Sequence, residues 1–286
     1  MKLRPYLKSL ANPVLYFSPL IISIFILGCA SEIEPTYKEE ELFYQIKKIL
    51  KDEYKLDVIT KQTDNALWVY APLSRLINKD YAKDKTKLLD EGMIDNLRNI
   101  LITVGRVILS ADKSPEFYCL VASDITEIGV DYTLIGYTLD IKKSYAGLIP
   151  WTETNRRYVI HIELNPQALS DTVGRHVWVY NITLEDFLAK QIAQRISGRF
   201  QDDELKNYFQ VESATGRFNV GTFYFEYSIK EILPKDIDIK EEMLKIISYV
   251  IQTYEFEDFS MVELKDLTNQ DTRVLSKARI KEFKLP

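Results

Sequence analysis

The chain reads as an α+β protein, mainly antiparallel sheet with packed helices, and three observations predict this. Short runs of β-branched and aromatic residues are bounded by turn residues, longer segments place apolar residues three and four apart, and one order of these elements occurs twice. With 46% hydrophobic residues among 286, the chain can bury a sizeable core.

The elements follow in order. Thr36-Tyr37-Lys38-Glu39 predicts a capping box opening a helix to about residue 53, with Leu42, Phe43, Ile46, Ile49 and Leu50 inward. A strand pair at 56–60 and 66–70 turns around Thr63-Asp64-Asn65. Leu89, Met93, Leu97, Ile100, Leu101, Val104 and Ile108 then make the core face of a helix over 88–109. Strands at 117–123 and 130–141 flank Asp124-Ile125-Thr126-Glu127.

That order returns near the C-terminus. Strands at 208–213 and 218–229 flank Thr215-Gly216, a helix covers 239–254, and strands follow at 259–264 and 272–282. The stretch from Phe259 to Asp266-Leu267-Thr268 echoes that from Phe117 to Asp124-Ile125-Thr126. Two ββαββ units, about 140 to 150 residues apart, are the expectation. Between them lie strands at 158–164 and 176–182 and a helix over 184–199 buried through Leu184, Phe187, Leu188, Ile192 and Ile196. The expected divisions are therefore 1–28, 29–55 (tether and first helix), 56–150 (first unit), 151–205 (central strands and helix) and 206–286 (second unit).

The first thirty residues carry a different signal. Lys2, Arg4 and Lys8 precede an apolar run over 14–27, interrupted only by Ser18, Pro19 and Ser23, which is shorter than the roughly 20 residues of a spanning helix. It ends in Ile26-Leu27-Gly28-Cys29-Ala30. This segment, and no other part of the chain, resembles a bacterial lipoprotein signal peptide with its lipobox. The resemblance implies lipidation of the Cys29 sulfur, cleavage between Gly28 and Cys29, acylation of the new amino group and a membrane anchor on the outer side of the cytoplasmic membrane. In a cell with two membranes, Ala30 after the cysteine implies export to the periplasmic side of the outer membrane. Two or more acyl chains anchor stably where one binds marginally.

Cleavage would leave 258 residues, and losing three cations would take the formal net charge from -5 to -8. That charge, with no basic cluster to track phosphates, excludes nucleic acid as a partner. Of two cysteines, Cys119 sits in an apolar run and is expected to be a buried, inert thiol.

Chemistry-bearing residues are sparse. The only histidines are His161 and His176. Arg157, His161 and Glu163 share a strand face, and with His176 they offer a two-His, one-carboxylate metal set. The plainer expectation puts Tyr158, Ile160, Ile162 and Leu164 on the core side and the charged trio in solvent. No nucleophile elbow, glycine-rich phosphate loop or cofactor motif occurs, and neither histidine shows a partner for a serine triad. His176, Trp178 and Tyr180 alternate along one expected strand, and with Trp151 they suggest an aromatic recognition surface. The leading expectation is thus a non-catalytic, lipid-anchored envelope protein that binds a protein or another envelope component. The alternatives are a small-ligand or glycan-binding module built around Trp151, Trp178 or Tyr180, and an exported hydrolase using His161, Glu163 and His176.

Overall fold

The computed structural model describes residues 35–78 and 88–283. Gly28 and Cys29, and with them the expected lipidation and cleavage site, lie outside the described residues. Two sheets organise the body. The first runs β1 (Ile59–Gln62), β2 (Ala66–Leu73), β3 (Phe117–Asp124), β4 (Val130–Tyr137), β5 (Val159–Leu164), and the second β6 (Phe209–Asn219), β7 (Thr222–Glu231), β8 (Met261–Asp266), β9 (Asp271–Ser276). Around them lie seven described helices: α1 (Leu42–Tyr54), α2 (Glu91–Leu109), α3 (Thr138–Tyr145), α4 (Trp151–Arg157), α5 (Leu184–Gln201), α6 (Ile239–Thr253) and α7 (Lys277–Ile280). The protein is α+β, its strand pairs antiparallel except at β2–β3 and β7–β8.

The duplicated order is present, and it is longer than ββαββ. Each run of four strands (β1–β4, β6–β9) is preceded by a helix (α1, α5), crossed over by a second (α2, α6), and followed by a third (α3, α7). The pairing sense repeats as antiparallel, parallel, antiparallel. Both crossover helices are capped by an aspartate, with Asp90 accepting from the Gly92 amide and Asp238 from those of Lys240 and Glu241. The sequence echo falls on equivalent turns: Asp124 Oδ1 accepts from the Thr126 and Glu127 amides, and Asp266 Oδ1 from those of Thr268 and Asn269.

The core explains the layering. Leu67, Val69, Tyr118, Leu120 and Leu134 face α1 and α2, while Trp68, Tyr70, Phe117, Cys119 and Val121 face the other way, into a cluster with α5, α6 and the inner face of the second sheet. Such period-2 alternation with both faces apolar makes β2 and β3 interior strands. The layers are therefore α1/α2, first sheet, α5/α6, second sheet. Helix α5 is buried at the consecutive positions Phe187, Leu188 and Ala189 and again at Gln191, Ile192 and Ala193, because sheets lie on both sides of it. Of residues 151–205, β5 completes the first sheet and α5 packs against β6.

Several expectations are corrected. The first helix begins at Leu42 after a 3-10 turn, and the Glu41 carboxylate accepts from the Lys38 amide in place of a Thr36/Glu39 box. The strand at 130–141 stops at Tyr137 and becomes α3, whose Asp140 is drawn inside by Arg157 on α4 at 2.7 Å. Arg157 is thus buried on a helix, not solvated on a strand. The second hairpin turns at Val220-Gly221, both at positive φ, while Gly216 lies mid-strand, where a Cβ would stand 2.2 Å from the Ala189 carbonyl oxygen. The strand at 272–282 ends at Ser276, which caps α7.

Candidate functional site: an interlayer cleft

Residues 165–183 carry no strand, so the expected strand at 176–182 is instead extended loop. A loop this long is uncommon in a compact body unless it has a task. Here it is pinned along its length. Asn65 Nδ2 donates to the Ile182 carbonyl (2.6 Å), Asn181 Nδ2 to Asp64 (2.9 Å), and Lys61 Nζ to the Gly174 carbonyl (2.7 Å). Gly174 has positive φ and lies so near Tyr70 that a Cβ would be 2.8 Å from its ring.

The strongest pin is His176. Its Nδ1 faces Asp171 Oδ2 at 2.6 Å, and its Nε2 faces Asp131 Oδ1 and Ser123 Oγ, each at 3.3 Å. Ser123 Oγ donates to Asp131, whose other oxygen accepts from Asn165 Nδ2 at 2.7 Å. The Tyr70 hydroxyl donates to the Asp171 carbonyl, and its ring meets the imidazole edge-on. Although burial opposes ionisation, the His176 amide and ring and the Val173 and Arg175 amides hold the Asp171 carboxyl well below the usual carboxylate range. Burial, with Asp171 and Asp131 nearby, pushes the Tyr70 phenol up to about 12.

Sequence reasoning gave His176 no partner, and the structure supplies three. Asp171, His176 and Ser123 even follow the order of a serine triad. Ser123, however, is 0% exposed, so no acyl group can approach its oxygen, and its proton is already committed to Asp131. The arrangement is a buried clamp that seats the loop on the sheet. His161 instead pairs with Glu163 at 3.1 Å on the exposed strand β5. The two histidines thus belong to separate pairs, and among the described residues no group of three His, Cys, Asp or Glu is placed to hold a metal ion.

Between the loop, β4–β5, α5 and the middle of β6 lies a cleft of about 700 Å³. It brings together most of the residues singled out from sequence: Trp178, Tyr180, His161, Glu163 and His176 all line it. Trp178 is 82% exposed, whereas an inward strand residue would be covered. Tyr180 packs on Trp68 at a centroid distance of 5.1 Å, and the buried Trp68 indole N–H has no acceptor among the described residues. Lys190, Gln194 and Thr215 add polar lining from α5 and β6. Trp68 was missed because it reads as core in the run 66–70, and Asp171 because only the folded loop returns it to His176.

Trp151 does not belong to this cleft. It stands on α4, edge-on to Tyr145, over a second groove of about 510 Å³ formed with Ile94 and Ile102 of α2. Strand β5 also departs from expectation. It is the sheet's edge, buried only at Val159, so Ile160, Ile162 and Leu164 are exposed and not core. Cys119 is buried, and that burial pushes its thiol far above the ordinary value.

Fold and site together define an α+β protein of two similar halves with a ligand-sized cleft between layers. Comparison with protein-family models, curated proteins and solved structures found no match to this chain. No helix among the described residues is long and apolar enough to cross a membrane.

Proposed function

We propose that this chain is a lipid-anchored envelope protein, held outside the cytoplasmic membrane through Cys29, that binds a small polar ligand non-catalytically in the interlayer cleft. The observation that carries the reading is Trp178: a large aromatic side chain left exposed on a firmly pinned loop, at the mouth of a cleft floored by Trp68 and Tyr180. Pinning the backbone on both sides of Trp178 favours binding because the loop has little ordering left to do when the ligand arrives. The anchor rests on the lipobox-like segment.

The test is retention of small molecules from fractionated envelope extract by the full chain, read by ultrafiltration and mass spectrometry. The wild type is expected to retain a compound that Trp178→Ala does not. Equal retention by both proteins would contradict the assignment of the cleft. Intact mass of the membrane-purified protein, wild type against Cys29→Ala, checks the anchor separately.

A further inference from the structure

We infer that the cleft takes an acidic carbohydrate, with a sugar ring stacked on Trp178 and Tyr180 and its anionic group on Lys190. This rests on the cleft being the binding site, and deepens that reading.

The lining combines two chemistries a sugar ring needs at once. A pyranose-like ring presents a flat face of C–H groups, which suits the exposed indole of Trp178 and the half-exposed Tyr180 beside it. Its rim carries hydroxyls that both donate and accept. The side chains of Gln194 and Thr215 provide the matching neutral groups. Gln194 Oε1 is occupied by the Ile160 amide at 2.8 Å, which fixes the carboxamide and leaves its N–H₂ without an acceptor among the described residues. The orphaned Trp68 indole N–H, in the cleft's floor, is a further donor awaiting an oxygen.

Charge supplies the adjective acidic. Asp131 is buried with Ser123, Asn165 and His176 on its oxygens, and Glu163 bonds His161 at 3.1 Å, so both carboxylates of the lining already have hydrogen-bond partners of their own. Lys190 lines the same cleft and has no counter-ion among the described residues. Lys190 is the only lysine or arginine in the lining, and its ammonium favours a ligand with an anion at that end, either a uronate carboxylate or a sulfate ester. A nucleotide, the other common flat anion, calls for a helix N-terminus or a guanidinium fork at its phosphates, and this cleft presents one compact ammonium instead.

The experiment uses the full chain in a detergent without a sugar headgroup. It is titrated with tri-galacturonate, a chondroitin sulfate oligosaccharide, neutral maltotriose and ATP, read by calorimetry and tryptophan fluorescence. Saturable binding of one or both acidic sugars is expected, abolished by Trp178→Ala and weakened at least tenfold by Lys190→Gln, with unchanged thermal unfolding of both variants. The uronate and sulfate arms distinguish the two sources of the anion. Maltotriose binding as tightly as the acidic sugars, or ATP binding tighter, would overturn the inference. If no sugar binds while Trp178-dependent retention of an extract compound persists, the carbohydrate assignment fails and the cleft stands. Loss of that retention too would remove both.

Discussion

Replacing His176 with glutamine removes the centre of the clamp, and the structure sets the scale of the loss. The imidazole and its two carboxylates are 3%, 6% and 8% exposed at the side chain, so water cannot stand in for the ring. Taking a hydrogen-bond partner from a buried polar group costs about 1–3 kcal/mol, and more where that group is charged. Two carboxylates are affected here, yet each keeps other donors. Asp171 retains the His176 and Val173 amides, both at 3.0 Å, and Asp131 retains Ser123 and Asn165. The expectation is therefore about 3 kcal/mol for the two carboxylates together. At about 2–4 °C per kcal/mol for a chain of this size, the melting temperature should fall by about 10 °C. Urea denaturation at neutral pH measures it, and adding Asp131→Asn and Asp171→Asn to His176→Gln should return at least half the loss by removing the stranded charges. A single variant within about 1 kcal/mol of wild type would refute the clamp, since that is the range of an exposed pair.

Three further outcomes follow from the same structure. The Asp171 carboxyl is held below its ordinary value, so the stability it contributes is complete above the unfolded-state value near 4 and is lost as pH falls through the lower folded-state value; Asp171→Asn should flatten the acid limb of a thermal unfolding profile. Cys119 should resist a disulfide exchange reagent in the native protein and react only as the chain unfolds, and rapid labelling without denaturant would contradict its burial. Gly216→Ala must push β6 away from the Ala189 carbonyl at one wall of the cleft, with about 2 kcal/mol or more of lost stability in denaturant titration.

The fold was readable in the sequence wherever one face or both faces of an element are apolar. Helices α2, α5 and α6 and strands β2, β3 and β7 carry such patterns, and the echo of Asp124 in Asp266 marks real equivalent turns. Reading failed where tertiary partners decide. Thr138 to Ile141 continues the strand chemistry of β4, yet Asp140 turns inward because Arg157, Tyr254 and Gln191 converge to satisfy it and one another. In β5, Ile160, Ile162 and Leu164 alternate like a core face, but no layer lies over them at the sheet's edge. Trp178, Tyr180, His161 and Glu163 were visible as residues worth notice. Their meeting in one cleft depends on the course of residues 165–183, which hydrophobic periodicity does not encode.

The central claim, that ligand enters between Trp178 and Trp68, has a direct test because the chain holds only three tryptophans. Fluorotryptophan NMR of the full chain, with each signal assigned by substitution, would be recorded as the retained ligand fraction is added. The account predicts shifts at Trp178 and Trp68 with Trp151 unmoved. A shift confined to Trp151, over the groove beside α2, would contradict it.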